Sequence, residues 1–123
     1  MSKISLASVT LDSSDFREHS AFYIKLLDGK IVHEFGDHGV MVALPDTGIC
    51  LNFQNAEGYV PPVWPEEPGK PQQMEHLDLH VDDMAEAVKK AQALGAKKAP
   101  VQFVPEITVM LDPAGHPFCL CPR

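Results

Sequence analysis

At 123 residues the chain is long enough for one domain and too short for two that each bury a useful core. A formal charge of −7 sets its surface against phosphate backbones and anionic lipid, which argues against nucleic-acid and membrane partners. Three cysteines without framework spacing (Cys50, Cys119 and Cys121), and a start, Met1-Ser2-Lys3-Ile4, with no apolar leader, point to a reducing, cytoplasmic setting.

Alternating apolar residues predict a first strand over Ile4–Leu11. Asp15 then reads as a helix N-cap, with Glu18 three residues on as its capping partner. Phe16, Ser20, Tyr23 and Leu27 form one helical stripe flanked by His19, Phe22 and Leu26, and Gly29 marks the stop. Strands follow over Lys30–Phe35, Val40–Leu44 and Ile49–Gln54, the last two joined by the turn Pro45-Asp46-Thr47-Gly48. The stretch 56–73 holds Pro61, Pro62, Pro65, Pro68 and Pro71, which forbids helix and central strand. It also carries Tyr59 and the chain's one tryptophan, Trp64, so it reads as an ordered connector, either an edge cover or a lid. Beyond it the order repeats. A strand runs to Val81, and Asp83 and Glu86 open a helix whose buried stripe is Met84, Ala87, Val88, Ala91 and Leu94, stopped by Gly95. Strands are then expected at Ala99–Val104, Ile107–Leu111 and Phe118–Cys121, with Asp112-Pro113-Ala114-Gly115 as the turn.

Sliding the chain against itself makes the repeat explicit. An offset of 68 lays Val9 over Leu77, Leu11 over Leu79, Asp15 over Asp83 and Glu18 over Glu86. An offset of 67 lays Val40, Val42 and Leu44 over Ile107, Val109 and Leu111, and Leu51 and Phe53 over Phe118 and Leu120. The fold class is therefore α+β. Two βαβββ modules, about 1–55 and 74–123, make one domain over 1–123 with a central cleft. Strand alternation turns Leu77, Leu79 and Val81 toward the helix and His76, Asp78 and His80 toward the cleft. The equivalent first-half positions are Ser8, Thr10 and Asp12; on the last strands Asn52, Gln54, Cys119 and Cys121 face the same way. His116 is expected to tie its turn to the backbone, and His19, His33 and His38 join no local constellation. No phosphate-binding glycine loop, nucleophile elbow or paired helical histidines occur.

His76-Leu77-Asp78-Leu79-His80-Val81-Asp82-Asp83, a helix ending Ala93-Leu94-Gly95-Ala96, and Asp112-Pro113-Ala114-Gly115-His116 leading into the last strand resemble the vicinal oxygen chelate superfamily. That superfamily includes glyoxalase I, extradiol dioxygenases, and fosfomycin- and bleomycin-resistance proteins. Pro61-Pro62-Val63-Trp64-Pro65 is similar to the connector of a bacterial glyoxalase-like branch. The resemblance implies a small-molecule ligand, a homodimer, and metal-ligand positions at Ser8, Asn52, His76 and Cys119. Of these, His76 keeps the family's preferred chemistry, and His76 with Cys119 falls short of the three protein ligands of a catalytic zinc site. Gln54, Asp78 or His80 would complete a set in a shifted register around a divalent Zn, Ni, Fe or Mn.

Three functions stay open. One is a small-molecule binder with an incomplete metal-ligand set. A second is a glyoxalase-like lyase/isomerase or related metal-assisted enzyme built around His76. The third is a protein with a vestigial cleft. A structural strand histidine at position 76 and a small buried cysteine at 119 stand beside the functional reading, as does a Cys–His pair that activates a thiolate.

Overall fold

The computed structural model describes residues 3–123, which divide into two units between Tyr59 and Val60. The prolines of the connector thus belong to the second unit. No helix is long and apolar enough to cross a membrane among the described residues.

The first unit contains β1 (Ser8–Ser13), α1 (Phe16–Leu27), β2 (Lys30–Glu34), β3 (Gly39–Ala43) and β4 (Cys50–Asn55). Its sheet runs β1-β4-β3-β2, with β1 parallel to β4 and the other pairs antiparallel. The first strand begins four residues later than the Ile4 alternation suggested. Its ladder starts where Ser8 meets Cys50, the first residue of β4, and Ile4 and Leu6 lie exposed before it. Asp15 caps α1 by accepting from the Arg17 and Glu18 N–H groups at 3.1 Å each. Its own N–H donates to Ser13 Oγ, in the place of a return bond from Glu18, and Phe16 N–H donates to Asn55 Oδ1 at 2.8 Å. The helix buries Phe16, His19, Ser20, Phe22 and Tyr23. Asp28, not Gly29, takes the left-handed turn (φ 55°) that ends the helix. Gly29 serves a different need, because a Cβ there would lie 2.6 Å from Val42. Phe53 on β4 stacks on Tyr23 (5.6 Å) and meets His19 edge-on (5.0 Å), so Leu51, Phe53 and Val42 face the helix as alternation requires.

The second unit repeats the order with β5 (Leu77–Val81), α2 (Met84–Ala93), β6 (Lys97–Lys98), β7 (Thr108–Leu111) and β8 (Pro117–Pro122), in the sheet order β5-β8-β7-β6. Asp83 caps α2 by accepting from Glu86 N–H. Two expectations need correcting. The strand foreseen at Ala99–Val104 is the two residues Lys97–Lys98. Pro100 has no N–H to give a ladder, and the chain leaves the sheet after Ala99 N–H meets Val109 C=O. There the Gln102 side chain stands in for backbone: its Nε2 donates to Ala99 and Val109 carbonyls (2.9 Å each) and its Oε1 accepts from Val109 N–H (2.8 Å). The β3–β7 match also slips by one. Met41 pairs with Asn52 as Val109 pairs with Cys119, so Val42 corresponds to Met110, and Val109 faces away from the helix.

Between β7 and β8, Asp112 is buried and organises the turn. Its Oδ1 accepts from Ala114 and His116 N–H groups, and its backbone exchanges two bonds with His116 and Gly115. Gly115 (φ 89°) lies against Pro61, where a Cβ would come within 2.7 Å. The connector is pinned at that point.

Candidate functional site

Each sheet has one face covered by its helix and one face turned the other way. The second face carries the polar residues of interest in both units. In the first, β1 and β4 lie side by side, with Thr10 opposite Asn52. Asn52 Nδ2 donates to Ser8 Oγ at 3.1 Å, and Gln54 Nε2 donates to Asp12 Oδ1 at 2.8 Å. Ser8 and Asn52 thus satisfy each other in part. Asn52 Oδ1 is buried without a hydrogen-bond partner.

In the second unit Asp78 on β5 lies opposite Cys119 on β8. His76, just before β5, brings Nε2 to 3.3 Å from Asp78 Oδ1. Its other ring nitrogen, Nδ1, lies 3.1 Å from Gln73 Oε1. A proton on Nε2 would be donated to the Asp78 carboxylate; a proton on Nδ1 would be donated to Gln73 and would leave the Nε2 lone pair facing that carboxylate, an arrangement that favours a cation between them. Cys119 Sγ completes the group: one donor atom from each of His76, Asp78 and Cys119 lies within 4.8 Å of the others. Burial, then the Asp78 carboxylate, pushes the Cys119 thiol up to about 11, and the neighbouring Cys121 adds to the rise. The thiol therefore holds its proton at neutral pH. Cys121 is raised by the same causes, burial first.

Apolar cover lies on the Cys119 side of this trio, whereas His76 and Asp78 are exposed. Ala99, Val109 and Cys119 form a buried cluster, against which Trp64, Ile107, Leu111 and Cys121 pack. The connector thus lays its tryptophan on the helix-free face. The indole lies 6.4 Å from the His76 ring and meets Phe103 edge-on at 5.8 Å, while its Nε1 is buried without a partner. Beside it, Gln102, Phe103, Val104, Pro105, Ile107, Thr108 and Lys98 line an open groove of about 280 Å³.

Of the residues picked from sequence, His76, Asp78, Cys119 and Trp64 come together within the second unit; within the first, Asn52 bonds Ser8 and Gln54 bonds Asp12. His80 is exposed on the Asp78 face of β5, outside the converging group. Gln73 and Phe103 were missed. Both lie in irregular segments, where no periodicity assigns a face.

A tetrahedral cation with bonds of about 2.0–2.3 Å needs donors roughly 3.3–3.8 Å apart. The His76–Asp78 separation meets that, and the partner on His76 Nδ1 is the kind that orients a metal-binding imidazole. An imidazole, a carboxylate and a thiol suit a zinc-like ion better than an ion that seeks an all-oxygen shell. By donor type the second-unit residues suit a divalent cation better than the Ser8–Asn52 pair, whose hydroxyl is engaged; by spacing only His76 and Asp78 meet the requirement, and the sulfur, within 4.8 Å of them, would have to draw closer to complete a tetrahedral set.

Comparison with known proteins follows the same line. A family profile described as a glyoxalase-like domain matches residues 8–121. No curated protein matches the sequence. Among solved structures, the fosfomycin resistance protein FosX from Listeria monocytogenes superposes with a TM-score of 0.70 at 16% identity, covering 100% of this chain and 92% of that one. A related FosX structure holds Mn(II) and 1S,2S-dihydroxypropylphosphonic acid. TnmS3, an antibiotic binding protein from Streptomyces sp. CB03234, gives 0.65 at 19% identity over 100% and 98% of the chains. A glyoxalase/bleomycin resistance protein/dioxygenase family enzyme from Burkholderia phytofirmans PsJN gives 0.68 at 18% over 97% and 98%. With a family match across nearly its whole length and two βαβββ units in order, the chain belongs to the glyoxalase-like domain family of the vicinal oxygen chelate superfamily.

Proposed function

We propose that this protein binds a small organic molecule on the helix-free face of its second unit, between Trp64 and the His76–Asp78–Cys119 group. The observation that carries this reading is the Trp64 indole. It covers part of a buried apolar cluster beside three polar side chains, and its Nε1–H is buried without an acceptor. Leaving such a donor unsatisfied costs about 1–3 kcal/mol, which a ligand acceptor would recover. The adjoining groove of about 280 Å³ falls just below the usual range for ligand pockets, roughly 300–1,000 Å³, and suits a small ligand. A ligand with one flat apolar part and one acceptor fits these features. The antibiotic named for TnmS3, and the fosfomycin and bleomycin named for other relatives, set the first probes.

Trp64 is the only tryptophan, so its fluorescence reports on this site alone. Titration with fosfomycin, bleomycin and a panel of flat aromatic antibiotics, with chelator present, is expected to change that emission saturably for at least one compound. The same compound should raise the melting temperature. A panel that leaves both emission and melting unchanged overturns the reading.

A second reading, a metal-assisted lyase or isomerase, is favoured by the convergence of His76, Asp78 and Cys119. Metal bound there would supply Lewis acidity to a substrate oxygen. His76 and Asp78 would hold the ion. We also propose a homodimer, supported by family resemblance and by the exposed Ile31, Val32 and Phe35 in and just after β2 of the first unit. A monomer mass in light scattering at micromolar concentration overturns it. Three free thiols support a reducing, cytoplasmic location.

A further inference from the structure

We infer that Gly115 is a positioning residue for the ligand site: through Pro61 it fixes where the Trp64 indole stands, which makes the connector a set wall and not a closing lid. This rests on the reading of the Trp64 face as the place where a ligand binds, and it adds what holds that face in place. Gly115, Pro61 and Trp64 all belong to the second unit.

Three observations carry it. The first is the firmness of the turn between β7 and β8. Buried Asp112 draws the Ala114 and His116 N–H groups onto one carboxylate oxygen, at 2.9 and 3.0 Å, and its carbonyl accepts from Gly115 N–H at 2.8 Å. A fully engaged buried network of this kind is a rigid base for whatever leans on it. The second is the closeness of the contact. A Cβ at Gly115 would lie 2.7 Å from Pro61 Cβ and 3.5 Å from its Cγ, so the proline ring rests on bare backbone. The third is the short, stiff arm from that contact to the indole. Trp64 follows Pro61 by three residues, which span at most about 11 Å. The rings of Pro61 and Pro62 fix φ along the way, and Val63 N–H donates to Pro71 C=O at 2.9 Å. Such an arm passes a displacement on instead of absorbing it. At its far end the indole packs on Ala99, Val109 and Cys119, 6.4 Å from the His76 ring.

The test uses reduced full-length protein. Trp64 is the only tryptophan, so its emission reports its surroundings with no ligand present. Gly115→Ala is expected to push Pro61 away, expose the indole, red-shift its emission and raise its quenching by acrylamide. Part of the effect of that change is backbone strain, because Gly115 has φ 89°. Gly69→Ala separates the two causes. Gly69 lies in the same connector at φ 76°, and an added Cβ there meets nothing within 4 Å, so the strain comes without a collision. Its emission should match the wild type. Pro61→Gly removes the ring, leaves the turn intact and should red-shift the emission. Because both changes break one contact, Gly115→Ala should add little in a Pro61→Gly background. A compound that binds in the Trp64 titration should bind Gly115→Ala about tenfold more weakly, and Gly69→Ala within about twofold of wild type. Circular dichroism checks that each variant is folded.

The proposal is overturned if Gly69→Ala moves the emission as far as Gly115→Ala, if Pro61→Gly leaves it unchanged, or if the two shifts add in full. Should Gly115→Ala fail to fold, Pro61→Gly and Gly69→Ala decide by themselves. A compound that binds Gly115→Ala as tightly as wild type overturns the proposal and leaves the binding reading standing. A panel without any binder sinks the binding reading, while the emission of the free protein still judges what places the indole.

Discussion

In the first unit α1 sinks five side chains into the core, and Phe53, Tyr23, Phe22 and His19 form a ring cluster with centroids 4.8–5.6 Å apart. In the second, Ala91 alone of α2 is fully buried, and the edge strand β6 is two residues long. The helix-free faces differ in the opposite sense. Ser8, Asn52, Gln54 and Asp12 bond among themselves, whereas His76, Asp78 and Cys119 point donor atoms at a common place. One topology written twice thus bears two loads. The first copy packs its helix with aromatic rings, and the second brings donor atoms together on its open face. Because a sheet presents its faces independently through alternation, a face can change its polar residues without disturbing the apolar face behind it.

The largest expected effect lies in the packing half. Phe53 is fully buried between Tyr23 and His19, so Phe53→Ala should cost about 3–5 kcal/mol in urea unfolding. Leu120 is its counterpart in the second unit, equally buried but without ring partners, and Leu120→Ala should cost about 2–4 kcal/mol. Equal losses would remove the claim that the first copy is the better packed. If residues 1–123 make one cooperative domain, as we propose, each variant unfolds in a single transition.

A second contrast concerns one position in both copies. Asn52 is a neutral amide that donates to Ser8, whereas Cys119 is a thiol facing Asp78. Burial first, and then the Asp78 carboxylate, raises the Cys119 thiol to about 11. Metal-free protein at pH 8 should therefore alkylate at Cys119 at least about tenfold more slowly than a free thiol of ordinary acidity. Asp78→Asn should speed the reaction; an unchanged rate would mean that the carboxylate does not act on the sulfur. The sign for stability follows from the same shift. Between about pH 9 and 11 the unfolded chain has released this proton and the native chain has not, so folding stability falls as pH rises through that window. Asp78→Asn should shrink the fall.

Much of this was legible in the amino-acid order, and the limits are instructive. Alternation assigned the faces of β5 and β8 correctly, because Leu77 and Leu79 are apolar where His76, Asp78 and His80 are polar. The repeat alignment slipped on β7, where Val109, Met110 and Leu111 are all apolar and offer no contrast to fix the register. Pairing alone showed that Val109 backs Cys119. Ala99–Val104 misled for a related reason. The repeated order of elements placed a strand there, but Pro100 and Pro105 interrupt the donors, and the Gln102 amide replaces them. Asp78 was read from sequence as cleft-facing, but as a metal ligand it entered only as a substitute in a shifted register. Its place opposite Cys119 comes from strand pairing, which one chain read in order does not display. Nor did proline content tell where Trp64 would land, since irregular backbone carries no period.

The smallest expected difference lies at the two helix starts, where the sequence reads alike. Asp15 accepts two N–H groups and Asp83 accepts one. The first helix has further support, because Asn55 Oδ1 holds the Phe16 N–H; the corresponding end of β8 is Pro122, whose side chain has no acceptor. Replacing a capping aspartate by alanine costs about 0.5–2 kcal/mol, set largely by how many orphan donors lose their acceptor. Asp15→Ala should therefore sit near the top of that range and Asp83→Ala near the bottom, a gap of about 1 kcal/mol by urea midpoint at constant slope. Asn55→Ala should bring the first helix start closer to the second, and its cost should add to that of Asp15→Ala less than fully, since both act on one turn. If the two aspartate variants lose the same stability, the inequality between the copies lies in their cores and faces and does not extend to where their helices begin.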